Sequence, residues 1–244
     1  MSKMVQDFEQ YSAWRQNVAS ALEAYQAGVS QAGLGDAASE QRVARALDRI
    51  RDDKLSVAFV AEFSRGKSEL INALFFADYG QRILPSSAGR TTMCPTELMY
   101  DPALPPCLRL LPIETRGEQL STSDYREDAS AWTVLPLSLD APDSMIETFK
   151  QVSLTRYVSV DEAKRFGLYD ETDPDAAASL NGQGEVEISL WRHAIINFPH
   201  PLLKQGLVIL DTPGLNAIGT EPELTLNLIP NAHAVLFILA AETG

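Results

Sequence analysis

Ala61-Glu62-Phe63-Ser64-Arg65-Gly66-Lys67-Ser68 joins a short apolar run, residues 55–63, to a segment, 68–76, whose Leu70, Ile71, Ala73, Leu74 and Phe75 suit a helix. A strand, a turn carrying Gly-Lys-Ser and a helix form a phosphate-binding loop. The loop's backbone N–H groups and the helix N-terminus make a nest for anions. Glycine at position 66 keeps a Cβ away from the phosphate. Lys67 is placed to reach the β- and γ-phosphates, and the Ser68 hydroxyl to bind Mg²⁺. Glu62, Phe63, Ser64 and Arg65 complete the cradle. The first position departs from the usual pattern, because Ala61 stands where glycine is common. Alanine adds a methyl group and restricts positive φ, which weakens the motif.

A second motif follows in chain order. The apolar run 207–210 leads into Asp211-Thr212-Pro213-Gly214. At the end of a buried strand this suits a switch segment, with Asp211 holding Mg²⁺ through water and the Gly214 N–H sensing the γ-phosphate. Read alone, Pro-Gly is an ordinary turn. Between the two motifs lies Pro85-Ser86-Ser87-Ala88-Gly89-Arg90-Thr91-Thr92-Met93-Cys94-Pro95. A GTPase needs a threonine there to complete the Mg²⁺ shell, and Thr92 is the first choice, with Thr91 in reserve. Lys67 and Thr92 are therefore expected to be catalytic, and Ser68, Thr92 and Asp211 to be metal ligands.

These stretches together resemble the dynamin-like GTPases, the bacterial ones above all. The resemblance is carried by residues 62–75, by Thr91-Thr92-Met93-Cys94-Pro95-Thr96, by 201–204 with 206–217, and by 232–244. It implies an α/β P-loop domain of dynamin type, with a mostly parallel sheet flanked by helices. It also implies GTP hydrolysis with Mg²⁺ and a monovalent cation, K⁺ or Na⁺, held by Ser64, Ser87 and Gly89, which adds Ser64 to the expected catalytic residues. Self-association would run through paired G domains, and the full-length protein would remodel membranes. The classical members of that family place glutamine where this chain has Phe63, which leaves the orientation of water open. Arg65 reads as an arginine flanking phosphate, with a catalytic finger as the rarer alternative. The motif that reads guanine, Asn/Thr-Lys-x-Asp, would follow residue 244. The chain is therefore expected to be the N-terminal part of a longer protein, or the product of a truncated gene, and its domain incomplete.

Outward from the phosphate loop, residues 1–53 read as an N-terminal helical segment and 54–244 as the GTPase domain. Phe8, Tyr11, Val18, Leu22, Tyr25 and Val29 fall at helical spacing, as do Val43, Leu47 and Ile50, with Gly33-Leu34-Gly35-Asp36 as a break. The first stripe is read as bundle core, since its polar side lacks the dense Lys and Arg of a membrane-surface helix. Strands are expected at 97–100, 108–112, 186–198, 206–210 and 232–241, the last of them buried. Residues 113–185 are acidic and read as an insertion with one or two helices, one of them near 160–166.

The formal net charge of −13 opposes binding to nucleic acid and to anionic lipid. Membrane contact would thus come only through regions outside this chain. Two cysteines without a CxxC pair, and no secretory signal, suit the cytoplasm, peripheral to a membrane in the longer protein. His193, His200 and His233 have no companion at metal-ligand spacing and read as structural. Trp132 and Trp191 read as packing residues. Two rival functions remain open at this level: a nucleotide-gated interaction module with little turnover, and an ATPase.

Overall fold

The computed structural model describes residues 3–51, 54–61, 66–84, 94–118, 120–172, 176–212 and 229–239. Two helices come first, α1 (Lys3–Gln31) and α2 (Ala37–Arg51). Gly33 turns the chain with φ 65°. Asp36 then caps α2, its carboxylate accepting from the Ser39 N–H at 2.8 Å. The two helices pack as a hairpin, and the Arg15 Nε donates to the Ile50 carbonyl at 3.1 Å. The expected single stripe on α1 is unevenly covered. Phe8, Leu22 and Val29 are half-buried, whereas Tyr11, Trp14 and Tyr25 are exposed. Phe8 reaches the core of the main domain.

That domain is built on a seven-stranded sheet in the order β4-β3-β7-β2-β8-β1-β9. Its strands are β1 (Leu55–Ala61), β2 (Thr96–Met99), β3 (Cys107–Pro112), β4 (Thr133–Pro136), β7 (Trp191–Asn197), β8 (Leu207–Asp211) and β9 (Ala234–Ile238). The sheet is parallel across β8, β1 and β9 and again between β2 and β7, but antiparallel where β2 meets β8 and where β3 meets its neighbours. The parallel part carries the phosphate loop. Residues alternate between two faces, as a pleated strand requires. Phe59, Leu207 and Ile209 face a core closed by the helices α3 (Lys67–Phe75), α4 (Pro142–Lys150) and α6 (Pro201–Lys204). Ala58, Val60, Val208 and Leu210 face Tyr125, Trp132 and Ile229 on the other side.

Two expectations are corrected. Residues 186–198 are not one strand. Leu190 breaks the run, because its N–H bonds to the Leu154 carbonyl and its carbonyl accepts from Ile113. The first half becomes β6 (Glu185–Ser189), which pairs with β5 (Thr155–Ser159) in a separate two-stranded sheet. With α5 (Val160–Arg165) this sheet encloses its own small core of Ile113, Val158, Phe166, Val186 and Ile188. The region 113–185 therefore holds strands as well as the expected helices. The second correction concerns β9, which is exposed: Val235 at 37%, Leu236 at 41% and Phe237 at 60%. It lies on the sheet edge, and no described element covers its outer side.

Candidate functional site

β1 and β8 are parallel neighbours, with Phe59 opposite Asp211. Both motifs therefore emerge at the same end of the sheet, side by side. Ala61 is the last residue of β1, pairs with Ile238 and is buried. It takes extended backbone, which alanine adopts without strain.

Gly66 sits just before α3 in the left-handed region, φ 86° and ψ 11°. A Cβ there would meet nothing within 4 Å, so the space above the residue is open. Gly66, the N-cap residue of α3, offers no side chain to cap its first turn. Its leading N–H groups are thus left for another acceptor, the arrangement an anion fills. The helix is anchored from behind by Ile71 and Phe75, and next to them Phe76 packs on Phe198 with ring centroids 4.8 Å apart.

Lys67 Nζ lies 3.0 Å from Asp211 Oδ1, the two side chains being 13% and 16% exposed. The approach is an ion pair but not an aligned hydrogen bond, so Oδ1 is buried with no hydrogen-bond partner. A buried carboxylate oxygen in that state has capacity for a further ligand. Ser68 and Asp211 line one small, mostly apolar hollow of about 20 Å³, together with Leu84, Thr96 and Leu98. That volume suits about one water molecule. The donor set of a hydroxyl and a carboxylate matches the hard oxygen ligands Mg²⁺ takes.

The structure thus brings Gly66, Lys67, Ser68 and Asp211 together. Glu62, Phe63, Ser64, Arg65, Ser87, Gly89, Thr91, Thr92 and Gly214 lie outside the described residues. Three residues that carry no role in the sequence reading prove to shape the site. Thr212, 2% exposed, donates its hydroxyl to the Phe59 carbonyl at 2.8 Å and so ties the end of β8 to β1. Thr96 is paired with Asp211 across the β2–β8 ladder. Asn72 is buried in α3 and bonds to Ser68. An amide inside the apolar run Leu70-Ile71-Asn72-Ala73-Leu74 was the available signal.

Other polar groups have structural partners. His193 and Glu97 are 1% and 3% exposed and lie 3.0 Å apart, Nε2 to Oε1, and Arg126 also bonds to Glu97. Burial alone would push the Glu97 carboxyl up, but the hydrogen bonds and charges of His193 and Arg126 outweigh it and hold the group at about 2. His200 Nδ1 accepts from the Leu202 N–H, and His233 Nδ1 meets Ser56. Cys94 is buried, and burial pushes its thiol up to about 12. Trp132 is buried and Trp191 donates its indole N–H to the Gln151 carbonyl. Among the described residues no helix is long and apolar enough to cross a membrane.

A sequence profile of the dynamin family matches residues 57–244. The chain is 24% identical over 250 residues to a bacterial dynamin-like protein of Nostoc punctiforme, covering 98% of this chain and 29% of that one. It is 25% identical over 205 residues to the isoniazid-induced protein IniA of Mycobacterium tuberculosis, covering 81% of this chain and 23% of that one. The chain therefore spans less than a third of the length of these curated relatives. Among solved structures, a chain from an oligomerised bacterial dynamin pair aligns over 93% of this chain and 33% of its own, with TM-score 0.42 and 16% identity. Another chain from such a pair aligns over 82% and 23%, with TM-score 0.39 and 20% identity.

Proposed function

The chain belongs to the dynamin family, and with it to the P-loop GTPases; on that premise we propose that it forms the triphosphate half of a GTP-hydrolysing site that works within a longer protein. The observation that supports this most is the meeting of Lys67 and Asp211 at 3.0 Å, beside a helix N-terminus whose cap residue is glycine. Two residues far apart in sequence and opposite in charge converge where phosphate and its metal would sit.

Each residue then has a part. Lys67 leaves Asp211 for the β- and γ-phosphates, while the N–H groups of residues 62–68 cradle them. Ser68, Asp211 and Thr92 would hold Mg²⁺, which when bound neutralises charge on the phosphate oxygens. Ser64, Ser87 and Gly89 would hold K⁺ or Na⁺, and the Gly214 N–H would contact the γ-phosphate. Phosphoryl transfer asks mainly for positioning and electrostatic stabilisation, which this cradle supplies.

Guanine recognition and membrane contact are assigned to parts of the protein beyond these residues, and pairing of G domains is what family membership implies. The acidic surface, −13 overall, supports the view that this segment itself does not seek anionic lipid. The full-length protein is then a cytoplasmic, membrane-remodelling GTPase. The rival is a nucleotide-gated module with little turnover, motivated by Phe63 in place of the family's glutamine. Single-turnover hydrolysis of GTP by the full-length protein, with Mg²⁺ and either K⁺ or Na⁺, separates the two. The proposal predicts cleavage that the monovalent cation accelerates. Bound GTP that persists uncleaved for hours would establish the module instead.

A further inference from the structure

β8 ends at Asp211, and the residue after it, Thr212, is 2% exposed. A buried hydroxyl is costly unless it finds a partner. The Thr212 hydroxyl donates to the Phe59 carbonyl at 2.8 Å, the usual length for an O–H···O bond. Threonine is also stiff at χ1, because two heavy atoms branch from its Cβ. A side chain that is bonded, buried and branched holds the backbone on which it stands.

The bond sits where the ladder ends. β1 and β8 pair from Leu55↔Leu207 to Phe59↔Asp211. β1 then continues to Val60 and Ala61, which pair with Phe237 and Ile238 of β9. Past the last ladder pair, the Thr212 hydroxyl carries the link from β8 to β1. Asp211 is therefore held to Phe59 twice, by its own place in the ladder and by the hydroxyl bond of its neighbour. On its other side, β2 brings Thr96 opposite it. The Asp211 carboxylate meets Lys67 Nζ at 3.0 Å, and its Oδ1 keeps capacity for another ligand.

When phosphate draws Lys67 away, the carboxylate loses the cation that orients it, just as a metal ion needs it. On a loose strand end it would follow the lysine or turn to solvent. On a pinned strand end it stays.

We propose that Thr212 is a positioning residue: its bond to Phe59 fixes the end of β8, so that Asp211 keeps its place for Mg²⁺ after Lys67 has moved to phosphate. The proposal rests on the GTPase reading above. Thr212 touches neither nucleotide nor metal in this scheme.

The test uses the full-length protein with Thr212→Val and Thr212→Ser. Valine keeps the branched shape and removes the hydroxyl, whereas serine keeps the hydroxyl. A non-hydrolysable GTP analogue is titrated calorimetrically with Mg²⁺ and again with EDTA. The ratio of the two affinities measures the coupling between metal and nucleotide. Thr212→Val should lower that ratio about tenfold, while affinity in EDTA stays within about threefold because Gly66 to Ser68 are untouched. The Mg²⁺ concentration for half-maximal hydrolysis should rise by about as much, since a displaced functional group is costly. Thr212→Ser should bring the ratio back to within about threefold of the wild type. Asp211→Asn marks the full loss. The wild type gives a readout that needs no variant to fold: its structure with Mg²⁺ and the analogue should keep the Thr212–Phe59 bond, with Lys67 withdrawn from Asp211.

Affinities that fall alike with Mg²⁺ and with EDTA, in step with thermal stability, would reduce Thr212 to a structural residue. A Thr212→Val ratio equal to the wild type's, or a Thr212→Ser ratio as low as the valine variant's, would overturn the proposal. A broken Thr212–Phe59 bond in the loaded wild type would overturn it too. A wild type that binds no guanine nucleotide would instead overturn the functional reading, and the positioning role with it.

Discussion

At the scale of single residues, the phosphate loop separates two kinds of deviation. Gly66, at φ 86°, needs glycine, since a side chain there is strained whatever the room above it. Ala61 does not, because it ends β1 in extended backbone. The weakening that the missing first glycine suggests in the sequence therefore has no backbone cause. Ala61→Gly is accordingly predicted to leave GTP affinity within about threefold while lowering stability by about 1 kcal/mol, the cost of glycine in a strand. Calorimetric titration beside a thermal melt measures both, and a large gain in affinity would show that the Ala61 methyl obstructs the site. Lys67, Ser68 and Asp211 were legible because their chemistry sits in short motifs with fixed spacing. Asn72 and Thr212 were not. Their roles depend on carbonyls and N–H groups of Phe59, Ile83 and Leu84 that only the folded chain brings near.

At the scale of elements, β1, α3, β2, β3 and β8 follow closely from apolar runs bounded by turn residues. The errors have a common origin in periodicity, which cannot tell which sheet a strand joins. The run 186–198 looks continuous, yet β6 pairs with β5 and β7 with β2 and β3, and the change at Leu190 is a matter of tertiary hydrogen bonding. β9 reads as a core strand by composition but occupies an uncovered edge. In α1, one helical stripe in sequence stays one side of the helix in space but is unevenly covered: Phe8, Leu22 and Val29 are half-buried, while Tyr11, stacked on Trp14, is exposed.

The Glu97–His193–Arg126 group joins β2 and β7 to the segment before β4, at the end of the sheet that bears the phosphate loop. It makes a pH prediction. The Glu97 carboxyl is held at about 2 in the folded protein against an ordinary value of 4.5. Its folded pKa is depressed, so its contribution to stability is complete above about pH 4.5 and is lost as pH falls towards 2. Glu97→Gln should cost about 1–3 kcal/mol at pH 7, the range for leaving a buried hydrogen-bonding partner unsatisfied. Its stability should also change less steeply than the wild type's between pH 4.5 and 2. Urea unfolding across that range measures both slopes, and parallel curves would contradict the assignment.

At the scale of the whole molecule, the fold places its chemistry at one end of a mixed sheet, where β1 and β8 deliver Lys67 and Asp211 from adjacent parallel strands. The class of fold was readable from strand-loop-helix order, whereas the antiparallel half and the small β5–β6 sheet needed the long-range pairings. Residues 3–51 stand on the core through Phe8 and leave Tyr11, Trp14 and Tyr25 exposed. The proposed nucleotide site turns on Lys67, the cation at the head of α3. Calorimetric titration of GTP with Mg²⁺ into the full-length protein, wild type against Lys67→Ala, is therefore the most direct test. The wild type should bind and Lys67→Ala should give no measurable heat of binding while melting at a similar temperature. GTP affinity unchanged in Lys67→Ala would contradict the placement of the phosphate site.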